Sequence, residues 1–243
     1  NKMFKNFINE YKLDLNDIIF LKCNTKNKKL FEISLEKKIK FYLNKFKPLI
    51  SFVYGDTFST LMAATVLKKN NLKVAHIESG ARSFNHNMHE EKIRKKVDHI
   101  ADYLFCCSKL CEKNLIREKV KRNRIYITGD ILLDIFEENR KKIKKVKQKF
   151  NFLTLHRREN LNSKNRLNKL LNYVERESKL KIIFPVHPHT FKKLKLFNIK
   201  LDKQKFKIIN PISHIKTLNY LNSSEVIFTD SGGVQRESYF LKK

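Results

Sequence analysis

Six short segments carry side chains able to move protons or grip phosphate, and each lies where an apolar run gives way to a turn or helix. They are Tyr54-Gly55-Asp56-Thr57, His76-Ile77-Glu78-Ser79-Gly80, His89-Glu90-Glu91, Leu155-His156-Arg157-Arg158, Val186-His187-Pro188-His189, and Asp230 to Glu237. Carboxylates that meet in one site divide into acid and base when their surroundings separate their pKa values. Glu78 follows the apolar run Val74-Ala75-His76-Ile77 and precedes a Ser-Gly turn, which predicts a carboxylate at the carboxyl edge of a sheet. Asp56 competes with a simpler role, as the N-cap of the helix that follows. Glu90 and Glu91 open a helix, where acids complement the macrodipole, so a helix-stabilising role for at least one of them stands beside the catalytic one.

The other segments suit an anionic ligand. Ser231-Gly232-Gly233 follows a strand and opens a helix, so bare backbone and free N–H groups face a phosphate there. Glu237, six residues beyond Ser231, is placed to accept from a ribose, against the alternative of a surface glutamate. His156 and Arg157 bring cationic donors suited to a diphosphate. His187 and His189 flank Pro188, but no third ligand has metal-site spacing, so substrate contact is expected of His187 and neither a metal nor a cofactor is expected.

These segments need strands to position them. Apolar runs at 49–54, 73–77, 103–107 and 125–127 alternate with helical patterns at 59–69, 90–101 and 109–117. A Lys-rich helix is predicted near 133–148, and the alternation then restarts with strands at 152–155, 181–184, 206–209 and 226–229. The rhythm predicts an α/β fold with two parallel sheets flanked by helices, divided as 1–145 and 146–243. Residues 1–48 read as helix, loop and helix with one possible strand. The opening strand and phosphate-binding turn are missing from the pattern, and the chain stops after a strand-turn-helix unit, so truncation at both ends is expected.

Composition narrows the class. The 243 residues, 41% hydrophobic, suffice for two modest domains, and no apolar run approaches the length of a membrane span. The first residues, Asn1-Lys2-Met3-Phe4-Lys5, lack the apolar core of a secretory signal. A formal net charge of +29 raises the question of nucleic acid. The lysines, however, are spread over nearly every segment beside abundant Asn and Ile, which reads as solvated surface, so neither nucleic acid nor membrane is expected as a partner. Cys23, Cys106, Cys107 and Cys111 show no metal-ligand spacing and read as reduced thiols, which fits a cytoplasmic protein.

Taken together and in order, the segments resemble the non-hydrolysing UDP-N-acetylglucosamine 2-epimerases from about residue 50 onward. The resemblance rests on Gly55-Asp56-Thr57, His76 to Arg82, Met88 to Arg94, Thr154 to Asn160, Pro185 to Pro188 and Asp230 to Glu237. It implies a glycosyltransferase-B-like fold of two Rossmann-like domains facing a cleft, incomplete here at both termini, and a homodimer. The implied activity inverts C2 of a UDP-linked N-acetyl sugar by eliminating and re-adding UDP, for surface polysaccharide precursors. Asp56, Glu78 and Glu90 match the family's catalytic carboxylates, with His156 near the diphosphate. The expected contacts to the UDP-sugar are Arg82, Arg157, His187, Ser231, Gly232, Gly233 and Glu237. The chain departs from the family at Ala81, His89 and Ile93 and lacks its N-terminal Gly-Thr-Arg-Pro-Glu turn. Arg236, with Arg82 to Asn85 and Tyr239-Phe240, resembles the UDP-2,3-diacetamido-2,3-dideoxyglucuronate 2-epimerases instead. The rival readings are a hydrolysing epimerase, a glycosyltransferase of the same fold, and an inactive UDP-sugar-binding remnant.

Overall fold

A computed structural model describes residues 2–24 and 26–243; Asn1, which opens the segment read for a secretory signal, lies outside the described residues. They form two compact units. One spans Ile18–Ile131, and the other joins the residues up to Asp17 with Leu132–Lys243.

In the first unit α2 (Lys28–Phe46) precedes β1 (Ile50–Tyr54), α3 (Phe58–Lys69), β2 (Lys73–Ser79), α4 (His89–Ile100), β3 (Tyr103–Cys106), α5 (Lys109–Arg117) and β4 (Ile125–Ile127). The strands are all parallel and lie in the order β1-β2-β3-β4. Right-handed crossovers that always advance the same way place their helices on one face of a sheet. Accordingly Val53, Val74, Leu104 and Cys106 form one core with Ala64 and Leu67 of α3, Ile93 and Val97 of α4 and Leu115 of α5. The opposite face is aromatic, with Phe52 and Phe105 stacked at 6.1 Å between centroids and Tyr126 5.8 Å from Phe105. The expected parallel sheet flanked by helices is thus present, with the helices of this core on one face because the strand order never reverses.

The second unit contains α1 (Lys2–Tyr11), α6 (Ile131–Asn139), β5 (Asn151–Thr154), α7 (Arg158–Leu161), α8 (Lys164–Glu177), β6 (Ile182–Pro185), α9 (Pro188–Leu196), β7 (Phe206–Ile209), α10 (His214–Ser223), β8 (Ile227–Thr229) and α11 (Gly232–Phe240). Its parallel order is β7-β6-β5-β8, so the chain works outward from β5 and then returns to its other side. Both faces are covered as a result. Leu153, Ile182 and Phe184 point into one core with α8, while Phe152 and Ile183 point into the other with Leu218, Leu221 and Phe136. The reversal makes the gap between β5 and β8 a topological switch point, where the loops after two parallel strands diverge.

The Lys-rich stretch is shorter as a helix than its composition predicts. α6 stops at Asn139, followed by one 3-10 turn at Arg140–Lys142. Beyond it the backbone N–H groups of Lys144 and Val146 donate to Asn219 Oδ1 and Ser223 Oγ of α10, both at 2.7 Å. Those side chains hold the segment extended where helical bonds are lost. Phe136 packs on Phe240 at 5.5 Å between centroids, which places α6 in the second unit and moves the division from the expected 145 to 131. α1 also joins that unit. The Glu10 carboxylate accepts from the N–H groups of His214 and Ile215 at 2.9 and 3.0 Å, capping α10 from some two hundred residues away. No strand forms among the described residues before β1. Among the described residues no helix is long and apolar enough to cross a membrane.

Candidate active site

In the first unit the ends of β1 and β2 and the first turn of α4 carry the three expected acids. Thr57 is the N-cap of α3, its hydroxyl accepting from Thr60 N–H at 3.2 Å, so Asp56 is released from that role. The Asp56 carboxylate pairs instead with the guanidinium of Arg94 on α4. Glu78 lies where the β2–β3 register shifts, between Ile77 and Ser79, and its backbone is left-handed at φ +66°. A side chain in that conformation costs about 1 kcal/mol, and such residues concentrate at functional sites. The irregularity turns Glu78 out of the regular ladder at the strand's carboxyl end.

Glu90 and Glu91 divide their labour. Glu90 is half-buried in the first turn of α4, whereas Glu91 is buried and accepts from Ser83 N–H and Oγ–H at 2.8 and 2.9 Å. Burial alone would raise the Glu91 carboxyl, but the Ser83 bonds and the charges of Arg82 and Arg94 outweigh it and hold it below the usual range. Glu91 therefore ties down the loop after Glu78.

Arg82 does not reach toward a ligand as expected. Its side chain is 0% exposed, and it donates to both Glu118 oxygens at 2.8 and 2.7 Å, to Asp98 at 2.7 Å and to the Ala81 carbonyl at 2.8 Å. Burial would pull the guanidinium pKa down, but Glu118 and Asp98 more than offset this and raise it. Asp98 continues the network to His76, whose Nδ1 lies 2.7 Å away.

In the second unit the loops after β5 and β8 are joined by one carboxylate. Asp230 accepts from His156 N–H at 3.0 Å, Arg157 N–H at 3.0 Å and Asn160 Nδ2 at 2.9 Å, and His156 Nδ1 lies 3.1 Å from it. Burial would raise its pKa, but His156, Asn160 and the two backbone N–H groups prevail and lower it to about 2. Arg157 Nε donates to the Asp230 carbonyl at 2.6 Å. Ser231 caps α11 by accepting from Val234 N–H at 3.4 Å. A Cβ on Gly232 or Gly233 would meet nothing closer than 3.9 Å, so these glycines relieve no clash within the chain. Their bareness suits approach from outside to the N-terminus of α11.

His187, the N-cap of α9, is exposed and accepts from His189 N–H at 3.1 Å; burial first, then the charges of His156 and His189, lower its pKa. Glu237 is 5% exposed and bonded at 2.5 Å to His214 Nε2, while His214 Nδ1 meets the Tyr11 hydroxyl. A ribose-binding Glu237 would thus be one already oriented by α10 and α1.

A family model described as UDP-N-acetylglucosamine 2-epimerase matches residues 2–243. The chain belongs to the UDP-N-acetylglucosamine 2-epimerase family. It is 40% identical over 225 residues to the UDP-N-acetylglucosamine 2-epimerase of Methanocaldococcus jannaschii, covering 84% of this chain and 61% of that protein. The UDP-2,3-diacetamido-2,3-dideoxy-D-glucuronate 2-epimerase of Pseudomonas aeruginosa is 34% identical over 209 residues, covering 82% of this chain and 58% of its own length. The chain therefore spans about three-fifths of the curated relatives it matches. The crystal structure of the M. jannaschii UDP-GlcNAc 2-epimerase in complex with UDP-GlcNAc and UDP superposes with a TM-score of 0.90 at 35% identity, over 98% of this chain and 70% of that one. The UDP-GlcNAc 2-epimerase of Neisseria meningitidis bound to UDP-GlcNAc shares the fold at 21% identity, with a TM-score of 0.78 over 100% of this chain and 70% of that one. The glycosyltransferase-B-like fold class expected from sequence is that of these epimerases.

Around the expected acids of this 2-epimerase family member the structure brings further charged residues that sequence reasoning passed over. Arg94 and Asp230 lie inside the quoted motifs, so their positions were visible and their partners were not. His76 also lies inside a quoted motif, whereas Asp98 and Glu118 carried no signal beyond type, since charged side chains ordinarily read as solvated.

Proposed function

We propose that the protein to which this chain corresponds is a non-hydrolysing UDP-N-acetylglucosamine 2-epimerase, interconverting the gluco and manno forms of UDP-linked N-acetylhexosamine. The observation that carries the reading is the clustering of acids at the carboxyl edge of the first sheet, with Glu78 held in a left-handed, off-ladder conformation. One carboxylate withdraws the C2 proton while the C1–O bond to UDP breaks, leaving a bound glycal; protonation of C2 on the opposite face and return of UDP give the epimer. Asp56, Glu78 and Glu90 are the proton-transfer candidates. The departing diphosphate is anionic, and the start of α11 with Arg157 and His156 supplies N–H groups and cations suited to it.

The test is turnover of UDP-N-acetylglucosamine in deuterium oxide. Deuterium at C2 of both nucleotide-linked epimers, abolished by Glu78→Gln, is expected. Release of free N-acetylmannosamine, or transfer of the sugar to an acceptor, would overturn the reading. Deuterium absent from substrate and product alike would favour a UDP-sugar-binding remnant. Cytoplasmic location, homodimerisation and supply of surface polysaccharide precursors belong to the same proposal.

A second substrate is favoured by Arg236 on α11 and by the 34%-identical relative that acts on a diacetamido glucuronate. A cation there suits a C6 carboxylate. If so, Arg236→Glu lowers turnover of the uronate relative to UDP-N-acetylglucosamine; an unchanged ratio removes this alternative.

A further inference from the structure

We propose that His76 is a positioning residue that locks together the two strand ends bearing Asp56 and Glu78, acting through the Gly55 carbonyl and, by way of Asp98, through the Gly80 N–H. The proposal rests on the reading of Asp56 and Glu78 as proton-transfer groups, but the linkage itself is a matter of geometry. His76 is 0% exposed in the middle of β2, the strand that ends in Glu78. Its Nε2 lies 2.9 Å from the carbonyl oxygen of Gly55, which accepts only, so Nε2 carries the hydrogen. Its Nδ1 lies 2.7 Å from Asp98 Oδ1. The other oxygen of Asp98 accepts from Gly80 N–H at 3.1 Å and from Arg82 Nη2 at 2.7 Å. Asp98 thereby ties the His76 ring to Gly80 and Arg82.

Gly55 directly precedes Asp56, and Gly80 lies two residues after Glu78. The backbone here is left-handed three times, at Gly55 (φ +69°), Glu78 (φ +66°) and Gly80 (φ +74°). Conformations of this kind persist where surrounding groups over-determine them. The imidazole meets Gly55 directly and reaches Gly80 through Asp98. Ser79 Oγ closes the turn by donating to the His76 carbonyl at 2.6 Å. A proton-transfer pair displaced by about 1 Å loses on the order of 100-fold in rate, so the network acts on the chemical step.

The experiment follows backbone hydrogen–deuterium exchange at 55–57 and 78–82 in the 243-residue chain, with kcat and KM measured alongside. His76→Gln is expected to speed exchange at both segments together, by about tenfold, and to leave β5 and α8 unchanged. The kcat is expected to fall about 100-fold with KM held within about twofold. Asp98→Asn keeps the ring's bond to Gly55, so it is expected to loosen 78–82 more than 55–57. Loosening of one segment alone in His76→Gln, or a loss expressed in KM, would overturn the proposal. The ¹⁵N spectrum of the wild-type imidazole needs no variant: a hydrogen on Nε2 is expected, and a bare Nε2 refutes the linkage even if His76→Gln fails to fold. If the wild-type chain incorporates no deuterium into substrate, the epimerase reading falls, while exchange and ring protonation still decide whether His76 joins the two ends.

Discussion

The two strand-end clusters hold their acids by opposite means. In the first unit, carboxylates are set against cations: Asp98 and Glu118 against the buried Arg82, with His76 beside them, and Asp56 and Glu91 against the partly buried Arg94. In the second unit Asp230 is cradled by two backbone N–H groups, an amide and the half-exposed His156. Buried opposite charges are each costly to desolvate and depend on the partner to offset it, so removing one member strands the others. A carboxylate held mostly by backbone and amide N–H donors loses them one at a time and gives way gradually. The first arrangement fixes geometry for chemistry, and the second leaves room for a large anion to come and go.

The sharpest way to break this contrast is Arg82→Ala. It leaves Asp98 and Glu118 without their shared guanidinium, and an expected loss of about 3–5 kcal/mol in denaturant unfolding would make the protein marginal. If Arg82 were instead a substrate contact, stability would hold and only KM would rise. Next is Gly80→Ala. A Cβ there would lie 2.3 Å from the Cys111 carbonyl oxygen and sit at φ +74°, so a destabilisation of about 3 kcal/mol is expected. Gly55→Ala is the internal control, because a Cβ at Gly55 meets nothing within 4 Å; its left-handed backbone alone predicts about 1 kcal/mol, read from the same unfolding curves.

Asp230 sharpens the other half of the comparison. Its folded pKa of about 2 lies below the ordinary value, so its contribution is complete above the unfolded pKa near 4 and is lost as pH falls through about 2. Asp230→Asn is therefore expected to cost about 1–2 kcal/mol at neutral pH, allowing for solvent screening, with wild-type and variant curves converging toward pH 2. A gap independent of pH would mean that shape, not charge, holds this loop. Ser231→Ala, which removes the α11 cap, is expected to cost about as much as Gly55→Ala, about 1 kcal/mol, measured as a shift in Tm.

Much of this was legible in the chain because strand ends leave marks. Apolar runs closing on Glu78 or on Asp230-Ser231-Gly232-Gly233 predict where a side chain sits at a sheet's edge. They do not predict which way it turns. Arg82 follows Glu78 closely and is cationic, features that suit a ligand contact, yet Glu118 waits 36 residues on to bury it. Glu91, Arg94 and Asp98 recur along one side of α4, a spacing that on sequence alone describes a solvated stripe; partners on other elements draw it inward. The division between units was hidden for a similar reason. The lysines after Asn139 outweigh one Phe136, although it is the phenylalanine that binds α6 to its core.

The bond from Glu10 to the start of α10 spans 204 residues of sequence. Its consequence belongs to the time of synthesis. All the contacts within Ile18–Ile131 become available while the ribosome is still extending the chain, but α1 must wait, already made, for α10 to emerge. At ordinary elongation rates that delay is roughly 10–40 s. The contact that seats α1 therefore forms late relative to those within Ile18–Ile131, because its partner lies about two hundred residues further along the chain.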